Sequence, residues 1–402
     1  MLHERTILIF PAGNTLSHVA QALAIAERLE AAGQECHLAA AAERVAWAAQ
    51  FHPRCHVIPE LWEPSNLPFP CLRWFSNRDH VERCLAAQED LIRRLKPGLV
   101  IGIFDFLSRA SARGIPLLAI NGACMLPCFE GVLGFAEADT PLRRRQQETL
   151  DRFWEFAARS LAPALQQRRL PAPARANELL LGDHNVIYEL PELCGVSRLP
   201  AEFHAVGPIF WPGWEQVGAP PPWSRSATET TVHVCAGSMA IHAGAVERLI
   251  ATAEDMGVRV LASTGQNGFS HTNGRSFCRP MLAPILAAGV ADVAVCTGGI
   301  GVCYQNLACG TPSLVVPLQP EQATNGIHFQ QQGCGRALAP EVVFVGHARQ
   351  YADAINYEQF AAVLREMIEQ RARFAAPLEK LRQRLQTCDA LGDIARLAAS
   401  LV

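Results

Sequence analysis

The sequence predicts an α/β protein with two similar halves, each organised around a mainly parallel sheet. Two observations carry this prediction. Short apolar strands alternate with helical segments in both halves, and a stretch rich in proline and glycine, followed by polar residues, separates them at 208–230. The length agrees, because 402 residues suit two domains of about 200 residues better than one compact domain.

The first half opens with the apolar run Thr6–Phe10, which is predicted to be a buried strand. Apolar side chains then recur at helical spacing until Gly33 ends the helix: Val19, Ala22, Leu23, Ala26 and Leu29. The other elements predicted here are strands at 36–41, 56–59, 99–103 and 117–120, and helices at 43–50, at 79–95 and from Thr140. This alternation is typical of a parallel sheet.

The second half repeats the same alternation. Its first predicted strand, Thr231–Cys235, ends in a turn at Gly237-Ser238. The elements predicted after this turn are a helix at 242–256, strands at 258–262 and 291–296, a helix at 302–308 and a strand at 313–316. Two similar halves therefore flank one hinge.

Composition excludes several classes of protein. Thirty-five Lys and Arg against 38 Asp and Glu give a formal charge of −3, without the basic excess that nucleic-acid binding needs. The chain opens without the features of a signal peptide, so a cytoplasmic protein is expected. The uncharged stretch 293–320 is broken by glycine and proline, unlike a membrane span.

The 14 cysteines are scattered along the chain. Cys124 and Cys128 are the cysteines that come nearest to the spacing of a metal-binding pair. A zinc site usually needs a second such pair or added histidines, so free thiols and no metal site are expected.

One glycine-rich turn, Thr297-Gly298-Gly299-Ile300-Gly301, lies between a predicted strand and a predicted helix. Glycine lets the backbone approach a ligand, and the free N–H groups and positive dipole end of a helix start favour a phosphate. The turn lacks the full dinucleotide and Walker patterns, which disfavours both of those sites. Close packing of a strand on a helix also selects glycine, so the turn alone does not decide the function.

The residues after this turn carry a resemblance. They read Gln305-Asn306-Leu307-Ala308-Cys309-Gly310-Thr311-Pro312 and then Pro317-Leu318-Gln319-Pro320-Glu321-Gln322-Ala323-Thr324-Asn325. This order resembles the pattern H-G-G-x-G-T-x-x-E-x-L-x-x-G-x-P, followed by P-x-x-x-[DE]-Q-x-x-N, of nucleotide-sugar glycosyltransferases of the GT-B fold. That family includes bacterial macrolide and flavonoid enzymes and plant small-molecule enzymes.

The resemblance implies two Rossmann-like domains that face each other across a cleft. It places an acceptor-binding domain at 1–209, a linker at 210–229 and a donor-binding domain at 230–385. A C-terminal helix at 386–402 would pack back on the first domain.

The resemblance also implies a donor site that takes a nucleoside diphosphate sugar, of UDP or dTDP type, as co-substrate, with no cofactor and no metal. It assigns to this site Gly237, Ser238, Phe277, Pro280, Thr297, Gly298, Gly299, Gly301, Val302, Gln305, Glu321 and Gln322. Three of these depart from the family pattern: Thr297 replaces a phosphate-binding His, Val302 a Thr or Ser, and Gln305 a ribose-binding Glu. Cys278 stands where the family has the aromatic residue that stacks on the base, with Phe277 beside it.

In the first half, Ser17-His18 falls where the family has Gly-His at the start of the first helix, which implies that His18 is the catalytic base. A neutral imidazole, with a pKa near 6.5, can accept a hydroxyl proton at neutral pH. In many relatives an Asp orients this base. Asp105, which follows the strand at 99–103, is the candidate for that role.

The acceptor is expected to be a small, partly apolar molecule. The irregular loop at 60–78 is too aromatic for an ordinary solvated loop, and its candidate acceptor contacts are Trp62, Trp74 and Phe75. An ordinary core role explains these side chains equally well.

The predicted function is metal-independent transfer of a sugar, with inversion, to a hydroxyl of this acceptor. The chain contains no D-x-D motif, and backbone dipoles would stabilise the leaving diphosphate. Two alternatives remain at this stage. The three departures suit a degenerate GT-B protein that binds or activates another enzyme, and a sugar-nucleotide epimerase shares the architecture. A homodimer is also left open.

Overall fold

The computed structural model describes residues 6–12, 15–61, 73–129, 141–196, 198–237, 243–265, 268–338 and 355–402. The strands in these ranges are β1 (Thr6–Pro11), β2 (Glu35–Ala40), β3 (Cys55–Val57), β4 (Leu99–Ile103), β5 (Leu117–Asn121), β6 (His184–Ile187), β7 (Phe203–Ala205), β8 (Thr231–Cys235), β9 (Arg259–Ser263), β10 (His271–Thr272), β11 (Ser276–Arg279), β12 (Val293–Cys296), β13 (Ser313–Val315) and β14 (Gly335–Ala337). They form two sheets, one in each half of the chain.

Helices cover both sheets. They are α1 (Leu16–Ala31), α2 (Ala42–Ala48), α3 (Arg73–Ser76), α4 (Arg78–Leu95), α5 (Ser108–Ser111), α6 (Pro141–Gln167), α7 (Trp214–Val217), α8 (Ala243–Glu254), α9 (Pro284–Val290), α10 (Ile300–Cys309), α11 (Pro320–Gln331), α12 (Tyr357–Glu369), α13 (Ala375–Gln386) and α14 (Ala390–Leu401). Among the described residues, no helix is both long and apolar enough to cross a membrane.

The first sheet has the strand order β3-β2-β1-β4-β5-β6-β7, and all of its described pairs are parallel. Strands β1, β4 and β5 are buried along their whole length, as expected of a parallel sheet covered on both faces. The chain runs outward from β1 to β3 and then returns to β4 on the other side. The connections therefore diverge between β1 and β4, and ligands of α/β proteins bind in the crevice that such a reversal leaves.

The second sheet repeats this plan with the order β10-β11-β9-β8-β12-β13-β14. Its pairs are parallel apart from the antiparallel pair of β10 with β11. Here the strand order reverses between β8 and β12. The turn at Gly237 follows β8 and the glycine-rich turn follows β12, so both turns lie at the reversal.

The chain passes between the two halves twice. The last helix, α14, lies against α1 and shares a core with it, through Ile394 and Ala398 of α14 and Val19 and Leu23 of α1. Helix α13 lies instead against α10 of the second half. The second crossing therefore falls between α13 and α14.

The first crossing lies beside the second. A Cβ atom added at Gly207, which has a φ of +83°, would be 2.9 Å from Sγ of Cys388. After this point Trp211 and Trp214 pack against Trp47 of the first half. Ala219 then pairs with the second half, where its N–H donates to the carbonyl of Met281 at 3.0 Å. The connecting segment is thus anchored to both halves.

The predicted fold class is confirmed, with two mostly parallel sheets and helices on both. The helix predicted at 302–308 begins earlier, at Ile300, because Gly299 already has the extended backbone of an N-cap residue. The short strands β6, β7 and β14 have three or four residues each, too few to give an alternating pattern, and the analysis did not predict them. The buried free thiols of the described ranges include Cys36, Cys84, Cys194, Cys278, Cys296, Cys303 and Cys334.

Candidate active site

The glycine-rich turn lies at the reversal of the second sheet. Gly298 has a φ of +92°, and a Cβ atom added there would be 2.5 Å from the carbonyl oxygen of Gln322 and 2.6 Å from Cγ1 of Val315. Both its conformation and its surroundings therefore require glycine. Asn325 holds the turn from α11, since its Nδ2 donates to the carbonyl of Gly298 at 2.8 Å. The turn is a rigid part of the domain.

The next two glycines face open space. A Cβ atom added at Gly299 or at Gly301 would have no atom of the described residues within 4 Å, apart from its chain neighbours and its own helix backbone. Gly299 is the N-cap of α10, whose first N–H groups and positive dipole end point out of the turn. Space, free donors and a favourable dipole together suit a phosphate group at this position.

The turn after β8 lies beside the glycine-rich turn. Gly237 has a φ of +72°, and a Cβ atom added there would be 3.5 Å from Oγ1 of Thr297, which is buried. The two turns therefore lie side by side, at the ends of β8 and β12. Ser238 lies outside the described residues. Val302 and Gln305 lie on α10 and are half-buried, with Val302 packed against the core of the second half.

The predicted base-binding residues differ in accessibility. Cys278 is fully buried, so no base can stack on it. Phe277 is half-buried, and the guanidinium of Arg279 lies 3.9 Å from its ring centroid and covers one face. Pro280 is exposed, and its carbonyl accepts from the N–H of Gly265 at 2.9 Å. Trp223 also packs against this ring, at a centroid distance of 6.4 Å, so Arg279 and Trp223 both restrict access to Phe277.

Glu321 and Gln322 begin helix α11, next to the glycine-rich turn. Oε2 of Glu321 is buried and has no hydrogen-bond partner, and burial raises the pKa of this carboxyl to about 7. Oε1 of Gln322 accepts from the backbone N–H of Leu318 at 2.9 Å, so this side chain also fixes the entry to α11. Of the two, Glu321 is the one with an unused acceptor atom.

His18 lies in the first turn of α1, at the reversal of the first sheet. Its Nδ1 is 3.2 Å from the carbonyl oxygen of Ala12. A carbonyl only accepts, so Nδ1 carries the proton and Nε2 keeps its lone pair. Burial lowers the pKa of His18 to about 4, against a smaller raising effect of the Ala12 bond. The ring is neutral at pH 7, as a base requires, and packs near Phe104 at a centroid distance of 5.6 Å.

Asp105 follows β4 as predicted, but its carboxylate is used elsewhere. Its Oδ2 accepts from Nε2 of Gln88 at 3.0 Å and from the hydroxyl of Ser108, and its Oδ1 accepts from the N–H of Leu107 at 3.4 Å. The predicted contact with His18 is therefore corrected: in the described structure the carbonyl of Ala12, and not Asp105, bonds to the ring. Asp105 instead joins the loop after β4 to Gln88 of α4 and to Ser108 of α5.

The three predicted acceptor contacts do not share one environment. Trp62 lies outside the described residues, as does the side chain of Trp74, whose backbone belongs to α3. Phe75 is fully buried and packs against Phe106 and Phe153. A bound molecule cannot reach Phe75, so the prediction that it contacts the acceptor is corrected to a core role.

The two halves meet beside both reversals. A Cβ atom added at Gly122 would be 2.9 Å from Cδ1 of Ile300, the first residue of α10. The turn 123–125 and the segment 191–193 of the first half both lie against α11. Oη of Tyr304 accepts from the N–H of Leu190 at 2.7 Å, and both groups are buried. The end of the first sheet thus reaches the glycine-rich turn and the start of α11.

No family model matches the chain. Sequence comparison finds relatives that align with most of its length. A PGL/p-HBAD biosynthesis glycosyltransferase of Mycobacterium tuberculosis (strain ATCC 25177 / H37Ra) is 25% identical over 355 residues, 84% of this chain and 82% of the relative. A PGL/p-HBAD biosynthesis rhamnosyltransferase of Mycobacterium bovis (strain BCG / Pasteur 1173P2) is 26% identical over 384 residues, 90% and 84% of the two chains. An inactive PGL/p-HBAD biosynthesis glycosyltransferase of the same strain is 26% identical over 239 residues, 56% and 63% of the two chains.

Solved structures agree with this result over the whole chain. The glycosyltransferase of kitacinnamycin superposes with a TM-score of 0.70 at 17% identity, covering 100% of this chain and 99% of that one. The spinosyn rhamnosyltransferase SpnG, in complex with spinosyn aglycone, superposes with a TM-score of 0.68 at 17% identity, covering 97% and 99%. The chain has the fold of the GT-B glycosyltransferases. Its first and second halves correspond to the two Rossmann-like domains of that fold.

The structure adds polar residues that could not be selected from the sequence. Glu189 is buried just after β6, and its Oε1 accepts from the N–H of Ala123 at 2.8 Å. Burial raises the pKa of Glu189 to about 8, against the smaller lowering effect of that bond. Its neighbour Tyr188 is buried and forms a side-chain hydrogen bond with Gln21 of α1. The sequence offered one signal for Glu189, which is a glutamate two residues after a buried strand.

The raised pKa of Glu189 predicts a pH dependence of stability. The folded protein holds this proton up to about pH 8, while the unfolded chain releases it near pH 4.5. The contribution of Glu189 to stability is therefore greatest below pH 4.5 and falls by about 1.4 kcal/mol per pH unit as the pH rises through this window. Glu321 acts in the same direction up to about pH 7. Glutamine does not titrate, so the melting temperature of Glu189→Gln should rise relative to that of the wild type as the pH is raised from 5 to 8. A melting difference between the two proteins that does not change with pH would contradict this assignment.

Proposed function

We propose that this glycosyltransferase moves a sugar from a nucleoside diphosphate donor to a hydroxyl of a small acceptor, with inversion and without a metal. One observation carries the proposal. An open glycine-rich turn at the start of α10, with the unused carboxylate oxygen of Glu321 beside it, adjoins the first domain, where His18 lies at the corresponding reversal of the other sheet. A donor and an acceptor can be held between these groups.

The chemistry follows from these positions. Nε2 of His18 takes the proton of the acceptor hydroxyl, and the acceptor oxygen forms a bond to the anomeric carbon. The bond from that carbon to the diphosphate oxygen breaks, and the leaving nucleoside diphosphate keeps the electron pair. Donors at the start of α10 stabilise its negative charge. Attack opposite the leaving group inverts the anomeric configuration.

The acceptor proposed here has an acidic hydroxyl and an apolar body. A base with a pKa of about 4 is a weak proton acceptor, and it suits a hydroxyl that is itself acidic, such as a phenol, better than an aliphatic alcohol. Buried aromatic side chains behind His18, among them Phe104 and Phe106, give this part of the first domain an apolar lining. SpnG, which has the same fold, has been solved in complex with spinosyn aglycone, and this supports an aglycone as the acceptor.

The diphosphate is proposed to bind without a divalent ion. The glycine-rich turn and the α10 dipole supply the positive potential that a cation would otherwise supply. SpnG has been solved with thymidine diphosphate, which supports dTDP as one candidate donor nucleotide, with UDP as the other. The chain is expected to act in the cytoplasm.

A chelator should therefore leave binding and transfer unchanged. We expect dTDP or UDP to bind in calorimetry with the same affinity in EDTA and in MgCl2, because α10 and not a cation holds the diphosphate. We also expect an acceptor-dependent release of nucleoside diphosphate when a panel of dTDP and UDP sugars is mixed with phenolic acceptors. Affinity that disappears in EDTA contradicts the metal-free mechanism. Without an acceptor, release of nucleoside diphosphate would favour a hydrolase, and formation of an epimerised nucleotide sugar would favour an epimerase.

Glu321→Ala is expected to weaken donor binding through the sugar alone. Its Oε2 has no protein partner and is placed to accept from a sugar hydroxyl, so the affinity for the nucleotide sugar should fall about tenfold while that for the bare nucleotide stays. Gln322→Ala is a poorer probe, because it also removes the bond to Leu318 and should lower stability. Equal losses for nucleotide and nucleotide sugar would contradict the sugar role of Glu321.

A second candidate function is binding without catalysis. It is favoured by Thr297, Val302 and Gln305 at three donor positions, by the missing carboxylate partner of His18, and by the relative that is named inactive. Such a protein would bind a nucleotide sugar and activate another enzyme. It would show specific donor binding but no transfer to any acceptor at stoichiometric enzyme, which separates the two candidates.

A further inference from the structure

Two side chains at the domain boundary keep a buried oxygen atom without a hydrogen-bond partner. They are Oε1 of Gln21, in the first domain, and Oε2 of Glu321, in the second. Buried acceptor atoms in proteins are almost always paired, so each of these exceptions needs an explanation. Oε1 of Gln21 can only accept, and Oε2 of Glu321 accepts when its carboxyl is ionised, so the missing partner must supply donors.

The contacts around Gln21 place it at the same boundary as Glu321. Gln21 lies one turn beyond His18 on α1, a spacing that puts both on one face of the helix. Its side chain bonds to that of Tyr188, whose pKa is raised by burial and, to a smaller extent, by the charges of Glu189 and Glu321. The hydroxyl of Tyr188 is also 3.7 Å from the position of a Cβ atom at Gly122, the glycine that meets α10.

Glu189 completes this group. Its Oε1 is 3.2 Å from the same Cβ position at Gly122, and both Glu189 and Glu321 lie close enough to Cys124 to raise the pKa of that thiol, which burial already raises. Because Oε1 accepts from Ala123, a protonated Glu189 would present its hydroxyl on Oε2. The boundary thus combines two acceptors, Gln21 and Glu321, with one donor.

We propose that Gln21 and Glu189 of the first domain bind hydroxyl groups of the transferred sugar from the side opposite to Glu321. A sugar hydroxyl both donates and accepts, which matches this set of one donor and two acceptors. The position is also the one that the reaction needs, because the sugar must lie between His18 and the diphosphate at α10. The inference rests on the proposed function, and it makes the first domain a determinant of which sugar is used.

Calorimetry with dTDP, dTDP-glucose and dTDP-rhamnose, and with the UDP counterparts, tests this inference without requiring turnover. We expect Gln21→Leu to weaken the binding of the preferred nucleotide sugar about tenfold and to change that of its bare nucleotide less than twofold. Glu189→Leu should do the same. Glu189→Gln should keep most of the affinity, because its amide can accept from Ala123 and still donate to the sugar.

Gln34→Leu is the matched control. Gln34 also has a buried, unpartnered Oε1, but it lies beyond the opposite end of α1 from His18. It should leave both affinities unchanged. If Glu189→Leu does not fold, Gln21→Leu with its control decides the matter.

The outcomes separate this inference from the proposed function. If the wild type binds none of these nucleotides or nucleotide sugars, both the proposed function and the inference are overturned. If the wild type binds a nucleotide sugar and Gln21→Leu and Glu189→Leu leave the sugar-dependent part of the affinity unchanged, only the inference is overturned, and the unpartnered atoms then bind water. A loss confined to the nucleotide sugar, with Gln34→Leu and Glu189→Gln near the wild type, supports it.

Discussion

His18→Ala is expected to lower the rate of sugar transfer by about a hundredfold to ten-thousandfold and to leave donor affinity nearly unchanged. The imidazole is the group at the start of α1 that can take a proton, and its Nε2 is left free by the bond from Nδ1 to Ala12. The donor is held by the other domain, so its binding should survive the substitution. Single-turnover transfer at saturating donor measures the rate, and calorimetry measures the affinity.

The pH profile gives a second measure of the same residue. Burial lowers the pKa of His18 to about 4, so the ring remains a competent base down to about pH 5. We expect the ratio of the wild-type kcat/KM to that of His18→Ala to stay level from pH 8 to about 5 and to fall below that as the ring is protonated, because the titration of Glu321 and Glu189 is common to both proteins. A mutant that matches the wild-type rate on an acceptor that the wild type uses would eliminate His18 from catalysis. With a phenol the loss should be smaller.

Gly298→Ala is expected to cost about 3 kcal/mol or more of stability and to abolish nucleotide binding. The residue has a left-handed backbone, and the added methyl would lie 2.5 Å from the carbonyl oxygen of Gln322 and 2.6 Å from Cγ1 of Val315. Backbone strain and overpacking each contribute about 1–3 kcal/mol. The melting temperature of the second domain should fall by about 5 to 10 °C.

Gly301→Ala is the matched control for this effect. The residue lies in the first turn of α10, and outside its own helix its added methyl would meet no atom within the part of the chain that the structure describes. Alanine favours a helix, so the melting temperature should stay or rise. Nucleotide binding should still weaken, because the methyl enters the space proposed for the phosphate. If Gly298→Ala melts like the wild type, or if Gly301→Ala binds nucleotide as the wild type does, the assignment of the turn is wrong.

The sheets of this fold could be predicted because their central strands are long and apolar. Strands β1, β4 and β8 have five or six residues, and a glycine or a turn follows each β–α unit. The periphery could not be predicted in the same way. The edge strands β7 and β14 have three residues each, and they owe their pairing to neighbours that are distant in sequence.

The candidate site divides along a similar line. The glycine-rich turn, Glu321 and His18 could be selected because each stands at a fixed place in a local pattern. Asp105 and Phe75 were misassigned because their environments are set by tertiary contacts: Gln88 and Ser108 take the carboxylate, and Phe106 and Phe153 surround the ring. Gln21 and Glu189 were missed for the same reason, since only the meeting of two domains makes them notable.

The most direct test of the account is the configuration of the product formed from a donor of known configuration. The measurement is a single turnover in EDTA of an α-linked nucleotide sugar, UDP-glucose or dTDP-glucose, with a phenolic acceptor, followed by NMR of the products. The account predicts a β-glycoside and one nucleoside diphosphate for each glycoside formed. An α-glycoside would contradict direct displacement by an acceptor activated by His18. Tight donor binding with no glycoside at stoichiometric enzyme, across the panel of donors and acceptors, would contradict transfer itself.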